Sequence, residues 1–555
     1  MSQWPLFFRF DNLSVFIGLF IGLSSLLCAV YSFGFMSQRQ GRKIQWYYFY
    51  IVLTTIFSLG CVFANDLLLF MVFWGFLGLL LYLLIAFGEG KRTSYTAKKA
   101  FIIIGGTDAL MLLGLALVWN ISGTLQMDEI SIRLTSRPAV LAYLCLAVGA
   151  FAKAGLMPFH TWVPDTAEDA PVPVVAFLPA SLDKLLGIYF LFRITVEMFV
   201  MDAAMNTFLM AAGSFTIVAA VMMALIQHDL KRLLGYHAVS QVGYMVLGIG
   251  TGNPIGIAAG LFHMLNNAIY KACLFLCSGA VEKKAKTTDL DKLGGLAKVM
   301  PVTFITFLIA AFAIAGVPPF NGFASKWMIY QGIIESAKSQ GGMLWIGWLI
   351  AAMFGSALTL ASFMKLIHAV FLGQPSVEMQ RHKQDKQKTP LTMRIPMIIL
   401  AVLCIVFGVF AYRIPLKLFV LPALTKPVVF SGIWAPALAT FLAVIGVIIG
   451  YIIYLLGTMK KAKYVDAFVG GEKLEEHPDM RVSGTGFYNT IKDAESISTI
   501  YKLADKKVFD IYEVASKITF GFNAILRYIH NGILSSYLAW CLLGMLIMFW
   551  ILFKG

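Results

Sequence analysis

The sequence predicts an all-α polytopic membrane protein of about 14 transmembrane helices. Three observations predict it. Of 555 residues, 59% are apolar and only 13% charged, whereas a water-soluble chain carries about a quarter of its residues as Asp, Glu, Lys and Arg. Runs of about 20 apolar residues, long enough to cross a hydrocarbon core, recur along the chain. Lys and Arg gather in alternate connections between those runs. This composition excludes disorder, a secreted disulfide scaffold and a nucleic-acid-binding domain. The net charge of +15 lies between apolar runs and marks orientation in a bilayer, so no nucleic-acid partner is expected.

In order, the runs lie near 12–34, 46–63, 66–87, 100–120, 139–157, 172–197, 205–227, 231–249, 255–280, 300–336, 343–372, 394–413, 433–457 and 533–554. The first is too long for a signal-peptide core, lacks an AxA-type end and follows Arg9 and Asp11, so it reads as a retained helix. One set of loops holds Arg39, Arg42, Lys43, Lys91, Arg92, Lys98, Lys99, Lys231, Arg232, Lys283, Lys284, Lys286, Lys292, Lys298, Arg381, Lys383, Lys386, Lys388, Arg394, Lys460, Lys461 and Lys463. The other holds Arg133, Arg137, Lys338, Arg413, Lys417 and Lys426. A bias of about 22 to 6 places the first set in the cytoplasm and both termini outside. The acidic loop with Asp165, Glu168 and Asp169 is an exception, on the inner side without basic residues of its own. Between Lys460 and Asn531 a helical stretch from about Tyr488 to Ile529 repeats Ile497, Ile500, Tyr501, Ala504, Val508, Ile511 and Tyr512 at helical spacing. Lys502, Asp505, Lys506, Asp510 and Glu513 fill its other side. Such a helix fits along a membrane surface, or alternatively in a small cytoplasmic domain.

The seven cysteines, Cys28, Cys61, Cys145, Cys273, Cys277, Cys404 and Cys541, include no CxxC. Four convergent soft ligands for zinc or an iron–sulfur cluster are therefore not in view. There is no Walker loop, and Gly248, Gly250 and Gly252 end an apolar helix as a tight turn. No metal, cofactor or catalytic residue is expected in this chain, and chemistry driven by electrons or ATP belongs to a partner.

Ionisable residues inside the runs carry the functional signal, because a charge near the bilayer centre costs about 2.5–3.5 kcal/mol on insertion scales. Asp108 lies in FIIIGGTDALMLLG, Lys153 in LAVGAFAKAGLMPFHTW, His263, Asn267 and Lys271 in GLFHMLNNAIYKACLFL, and Lys326 in AGVPPFNGFASKWMIY. The spacing of four places His263, Asn267 and Lys271 on one helix face. Lysine suits an ion pathway because burial lets it change protonation state when a neighbouring charge moves. Lys153 and Lys326 each sit in a helix interrupted by Gly and Pro, one in each half of the core, the sequence pointer to an ion site built from inverted repeats. Asp183 and Lys184 in PASLDKLLGIYF are either pathway members or a locally paired structural set. His237 in LLGYHAVSQVGYM either touches the pathway or is a hydrogen-bonded core residue. Lys365 and His368, near a helix end, read as snorkelling. His228, Asp229, Lys231 and Arg232 read as a solvated helix start.

At these residues the chain resembles the antiporter-like subunits of the respiratory complex I superfamily. That group includes subunit L of NADH–quinone oxidoreductase, Mrp cation/proton antiporters and large membrane subunits of energy-converting hydrogenases. The resemblance rests on KAGLMPFHTWVPDTAEDAPVPV at Lys153, QHDLKRLLGYHAVSQVGYMVLGIG at Gln227, FHMLNNAIYKACLFLCSGAV at Phe262 and GVPPFNGFASKWMIY at Gly316, across about residues 10–370. It implies that Lys153 is the central lysine of a first half-channel, with Asp108 beside it. It makes Lys271 the bridging lysine, His263 its histidine partner, and Lys326 the terminal lysine of the second half. The chain departs from the family in three places: Gly75 stands where the family has the glutamate that pairs with the first lysine, and Pro179 and Asn267 stand in place of histidines.

The resemblance implies two inverted five-helix repeats with broken helices, plus a lateral amphipathic helix. The expected organisation is N-terminal helices in 1–65, a first half-channel repeat in 66–200 and a second in 201–372. C-terminal helices follow in 373–459, a cytoplasmic-side segment with the lateral helix in 460–531 and a last span in 532–555. The expected function is translocation of protons or sodium, driven by a redox module in a complex I-like or hydrogenase-like assembly. The expected partners are neighbouring antiporter-like or quinone-site-type membrane subunits and peripheral electron-transfer subunits. The expected location is the inner membrane of a prokaryote. A structural anchor with a degenerate channel, or a stand-alone cation/proton or bicarbonate-type transporter, are the alternatives.

Overall fold

The computed structural model describes residues 7–37, 42–340, 342–376, 379, 389–424, 426–430, 436–456, 485–488, 492, 494–530 and 532–554. Arg39, Arg381, Lys383, Lys386, Lys388, Lys460, Lys461 and Lys463 lie outside the described residues, as does most of 460–493. The chain forms two units, Met1–Asp493 and Ala494–Gly555.

In the first unit the helices run α1 (Asn12–Phe35), α2 (Arg42–Phe63), α3 (Leu67–Ile85), α4 (Thr93–Ser122), α5 (Arg137–Ala154), α6 (Trp162–Asp169), α7 (Val172–Phe177) and α8 (Asp183–Phe192). They continue as α9 (Ala203–Leu225), α10 (Leu230–Gly250), α11 (Pro254–Ala285), α12 (Pro301–Ala315), α13 (Asn321–Gln340), α14 (Leu344–Leu366), α15 (Leu391–Val409) and α16 (Pro436–Leu456). Their starts follow from local chemistry. Asp11, Asp66, Ser136, Asp202, Asp229 and Asn253 each turn a side-chain oxygen onto the free amides of the first turn, the role these residue types fill best. A two-residue parallel pair, Ile132–Arg133 with Phe199–Val200, is the strand content among the described residues.

Eleven described helices are long and apolar enough to cross a membrane. The other three expected runs, 231–249, 300–336 and 433–457, also carry helices. α10 is less apolar, with Lys231, Arg232, His237, Ser240 and Gln241, but is buried along nearly its whole length and so has no lipid to satisfy. The run 300–336 folds as two helices, α12 and α13, separated at Gly316–Phe320. α16 is apolar over Thr440–Leu456.

Two features fix the interior. The apolar part of α11, 32 residues long, is wholly buried. It packs against α10 with no side chain between them at Gly248 and Gly260, where an added Cβ at 248 would lie 3.0 Å from the Gly260 nitrogen. α9 and α10 touch in the same way at Gly213 and Gly243. Second, α5 and α12 both end in a left-handed glycine, Gly155 (φ 81°) and Gly316 (φ 85°), beyond which the chain breaks and restarts inside the bundle. Freed backbone groups at such breaks must find partners within the protein or line a cavity.

The second unit holds α17 (Glu495–Asp505), α18 (Ile511–Ile529) and α19 (Leu534–Lys554). The single amphipathic helix expected over Tyr488–Ile529 is instead two. Lys507 takes φ 57°, and the Asp510 side chain caps Tyr512 to restart the helix. Lys507 then pairs with Glu513 at 2.9 Å across the turn.

Candidate functional site: buried lysines in two linked clusters

Lys153, Asp183, Lys184, His237, His263, Asn267, Lys271 and Lys326 are each no more than 2% exposed; none faces outward. Asp108 is half-buried. The residues gather in two clusters that meet at α11.

The first cluster is built by α3, α4, α5 and α8. Lys153, in the last turn of α5, lies 4.0 Å from Asp183 Oδ1 and 5.0 Å from the centroid of the Trp74 ring. Trp74 Nε1 donates to Asp108 Oδ1 at 2.8 Å. Lys153 is thus held between a carboxylate and an aromatic face that is itself tied to a second carboxylate. A π-helical turn, Leu178–Leu182, precedes Asp183, as such turns often do at functional positions. Lys184 points elsewhere, over the Trp162 ring at 5.9 Å, and Gly155 leaves room for it, since a Cβ there would sit 3.2 Å from its Nζ. Gly75 carries no part of this cluster: it is exposed, and a Cβ at that position would meet nothing within 4 Å.

The second cluster is built by α10, α11, α13 and α14. Lys271 Nζ donates to the Leu234 carbonyl at 2.8 Å. Lys271 and His237 both pack on Phe363, at 5.9 and 5.0 Å, and His237 Nε2 lies 2.7 Å from Ser362 Oγ. His263 is a junction: Nδ1 lies 2.9 Å from Ser325 Oγ, and Nε2 lies 3.1 Å from Gln241 Oε1 and 3.3 Å from the Tyr270 hydroxyl. Lys326, next to Ser325 in the chain, reaches back across the helix break to donate to Ile314 O at 2.9 Å, with Tyr244 beneath it at 4.7 Å. Asn267 joins the clusters, donating to Ala180 O in the π-helical turn at 3.3 Å. So His263, Asn267 and Lys271 share one helix but serve three directions.

Among the described residues, Lys184 Nζ, Asp183 Oδ2, His237 Nδ1 and Asn267 Oδ1 find no hydrogen-bond partner. Buried polar atoms of this kind are normally satisfied by protein or water, so the seam is chemically suited to water and to a moving proton. No group of three His, Cys, Asp or Glu side chains that could hold a metal occurs among the described residues.

Several local readings change. Lys365 does not snorkel: it is 5% exposed and donates to Leu225 O and Gln227 O at the end of α9, where a cation satisfies helix-terminal carbonyls. Lys231 is buried beside Glu282 at 3.0 Å, so the start of α10 is only partly solvated. The acidic loop is matched from other helices, Asp165 by Lys99 at 2.8 Å and Glu168 by Arg232 at 2.6 Å. Charge pairing that is absent in sequence is supplied in space. Sequence reasoning also passed over Trp74, Gln241, Tyr244, Ser325 and Ser362. They are neutral, and only their polarity inside otherwise apolar helices could have marked them.

The profile described as "NADH:quinone oxidoreductase/Mrp antiporter, TM" matches residues 64–359, which hold every residue of both clusters except Ser362 and Phe363. The chain belongs to this family. It is 33% identical over 432 residues to F420H2 dehydrogenase subunit L of Methanosarcina mazei, covering 72% of this chain and 62% of that one. It is 33% identical over 425 residues to Na+/H+ antiporter subunit A1 of Staphylococcus haemolyticus, covering 72% of this chain and 52% of that one. The chain thus spans roughly half to three-fifths of the length of these curated relatives. A solved chain of the membrane-bound sulfane sulfur reductase (MBS), an archaeal respiratory membrane complex, superimposes with a TM-score of 0.79 at 25% identity, over 99% of this chain and 90% of that one. This is a multi-pass membrane protein of the antiporter-like type.

Proposed function

We propose that this chain translocates protons along the row of buried amines from Lys153 through Lys271 to Lys326, as a membrane subunit of a redox-driven complex. The observation that carries the reading is the continuity of the two clusters: Asn267 ties the turn before Asp183 to the helix bearing Lys271 and His263, and Ser325 ties His263 to the lysine at the far break. Each lysine sits beside a group that can stabilise or release its charge: Asp183 for Lys153, the Leu234 carbonyl for Lys271, the Ile314 carbonyl for Lys326. Protonating one amine raises the cost of charging the next, so charge passes along the row as a relay. Asp183 takes the place of the glutamate missing at Gly75, and Asp108 acts through Trp74. The basic-rich loops face the cytoplasm of a prokaryotic inner membrane, with both termini on the other side, and electron-transfer subunits drive the process.

Lys271→Ala and Lys326→Ala are expected to abolish proton uptake driven by the electron transfer of the complex in sealed membrane vesicles, while the complex still assembles. Full uptake in both variants defeats the proposal and favours a purely structural subunit.

A further inference from the structure

Lys326 ends the row in the second turn of α13, is 2% exposed, and needs a way out for its proton. α13 carries it toward the face where α13 ends and α14 begins, opposite the basic loops. Tyr244 lies directly on that side. Its ring is 4.7 Å from Lys326 Nζ and 5.4 Å from the His263 ring. Its hydroxyl lies 2.9 Å from Ser356 Oγ, and Ser356 Oγ lies 2.6 Å from the Tyr330 hydroxyl. Tyr244 is fully buried, whereas Ser356 and Tyr330 are half-buried at the α13–α14 seam. One to two helical turns beyond Tyr330, Glu335 and Lys338 line a cavity of about 330 Å³ that also takes in Asn253 at the start of α11.

We infer that Tyr244, Ser356 and Tyr330 form a hydroxyl relay through which a proton leaves Lys326 for the face opposite the basic loops. The inference rests on the proposed proton pathway and extends it. Each hydroxyl has one proton to give and lone pairs to receive one, so three in hydrogen-bond contact pass a proton without any of them ending charged. As a proton reaches Tyr244 Oη from Lys326, across one bridging water, the Tyr244 proton moves to Ser356, that of Ser356 to Tyr330, and that of Tyr330 to water at the outer end. One proton enters, one leaves, and three neutral hydroxyls remain, each needing to turn before the next transfer. The structure holds the relay closed. The single Tyr244 proton is donated to the Ala352 carbonyl at 2.6 Å, an acceptor that leads nowhere. Turning it to Ser356 opens the path. A hydroxyl chain of this kind carries protons and excludes sodium, which needs several oxygens around it at once.

The test uses the full chain in its complex in sealed native vesicles, measuring proton translocation and electron transfer together. Ser356→Ala is expected to lower translocation about tenfold, a barrier change of about 1.4 kcal/mol, and Ser356→Thr, which restores the hydroxyl, to recover it. Tyr330→Phe is expected to behave as Ser356→Ala. If Ser356→Ala and Tyr330→Phe translocate normally while Lys326→Ala does not, the relay is wrong and the pathway stands. If Lys326→Ala also translocates normally, the pathway itself fails. If Ser356→Thr remains as impaired as Ser356→Ala, packing rather than the hydroxyl is responsible and the relay is again overturned.

Discussion

At Lys153 one ammonium is shared between a carboxylate at 4.0 Å and an indole face at 5.0 Å. Removing one member of a fully buried pair typically costs about 3–5 kcal/mol, because the survivor stays desolvated. A different use of charge appears near Asp11, which accepts from the two terminal guanidinium nitrogens of Arg193 at 2.8 Å and caps α1 through Ser14. Glu197 and Arg9 complete this network. Burial alone would push the Asp11 carboxyl up, but the Arg193 hydrogen bond and charge more than reverse it and hold it down at about 2. Its contribution to stability is therefore complete above the unfolded value near 3.8 and is lost as pH falls through about 2. Asp11→Asn is expected to lower the melting temperature at pH 7, with the gap from the native chain narrowing below pH 4. A constant gap across that range would show that the carboxylate charge contributes nothing.

At the level of helices, contact without side chains decides which pairs can form. At Gly243 an added Cβ would lie 2.6 Å from Gly213 O and 2.8 Å from the Ile217 nitrogen; both are backbone atoms that cannot step aside. Gly243→Val is expected to cost at least about 1–3 kcal/mol, the usual range for overpacking, seen as early thermal aggregation in detergent. Gly75→Ala, at a position where nothing lies within 4 Å, serves as the control and is expected to melt with the native chain. Equal behaviour of the two variants would remove close packing as the reason for the glycine. Helix placement was largely legible from apolar runs, because lipid-facing helices must be apolar throughout. The break at Gly316–Phe320 was legible too, as the Gly and Pro interruption before Lys326, but the turn at Lys506–Asp510 was not, since it is set by a left-handed Lys507 and the Asp510 cap rather than by periodicity. The fate of Lys365 was hidden for another reason: its acceptors lie about 140 residues away, at Leu225 and Gln227.

For the whole membrane unit, the buried lysines were legible because charge inside apolar runs is rare and costly. Their neutral companions were not: Ser, Tyr, Gln and Trp occur in any membrane helix, and only three-dimensional proximity selects Ser325 or Trp74. α11, buried along most of its length, also constrains how the unit works. It is fused to α10 by backbone contact at Gly248 and Gly260, and it sends polar side chains into both clusters. Asn267 of the same helix is bonded to Ala180 O beside the first cluster, so a rocking-bundle exchange of the kind many secondary carriers use would have to break that tie and is not expected here. Spin labels placed on α5 and α13 are accordingly expected to keep their separation during turnover, and a shift of several ångströms would count against this. On the proposed pathway, traffic is switched by turning hydroxyls inside a stationary frame, which is nearer to a circuit with local gates than to a swinging door.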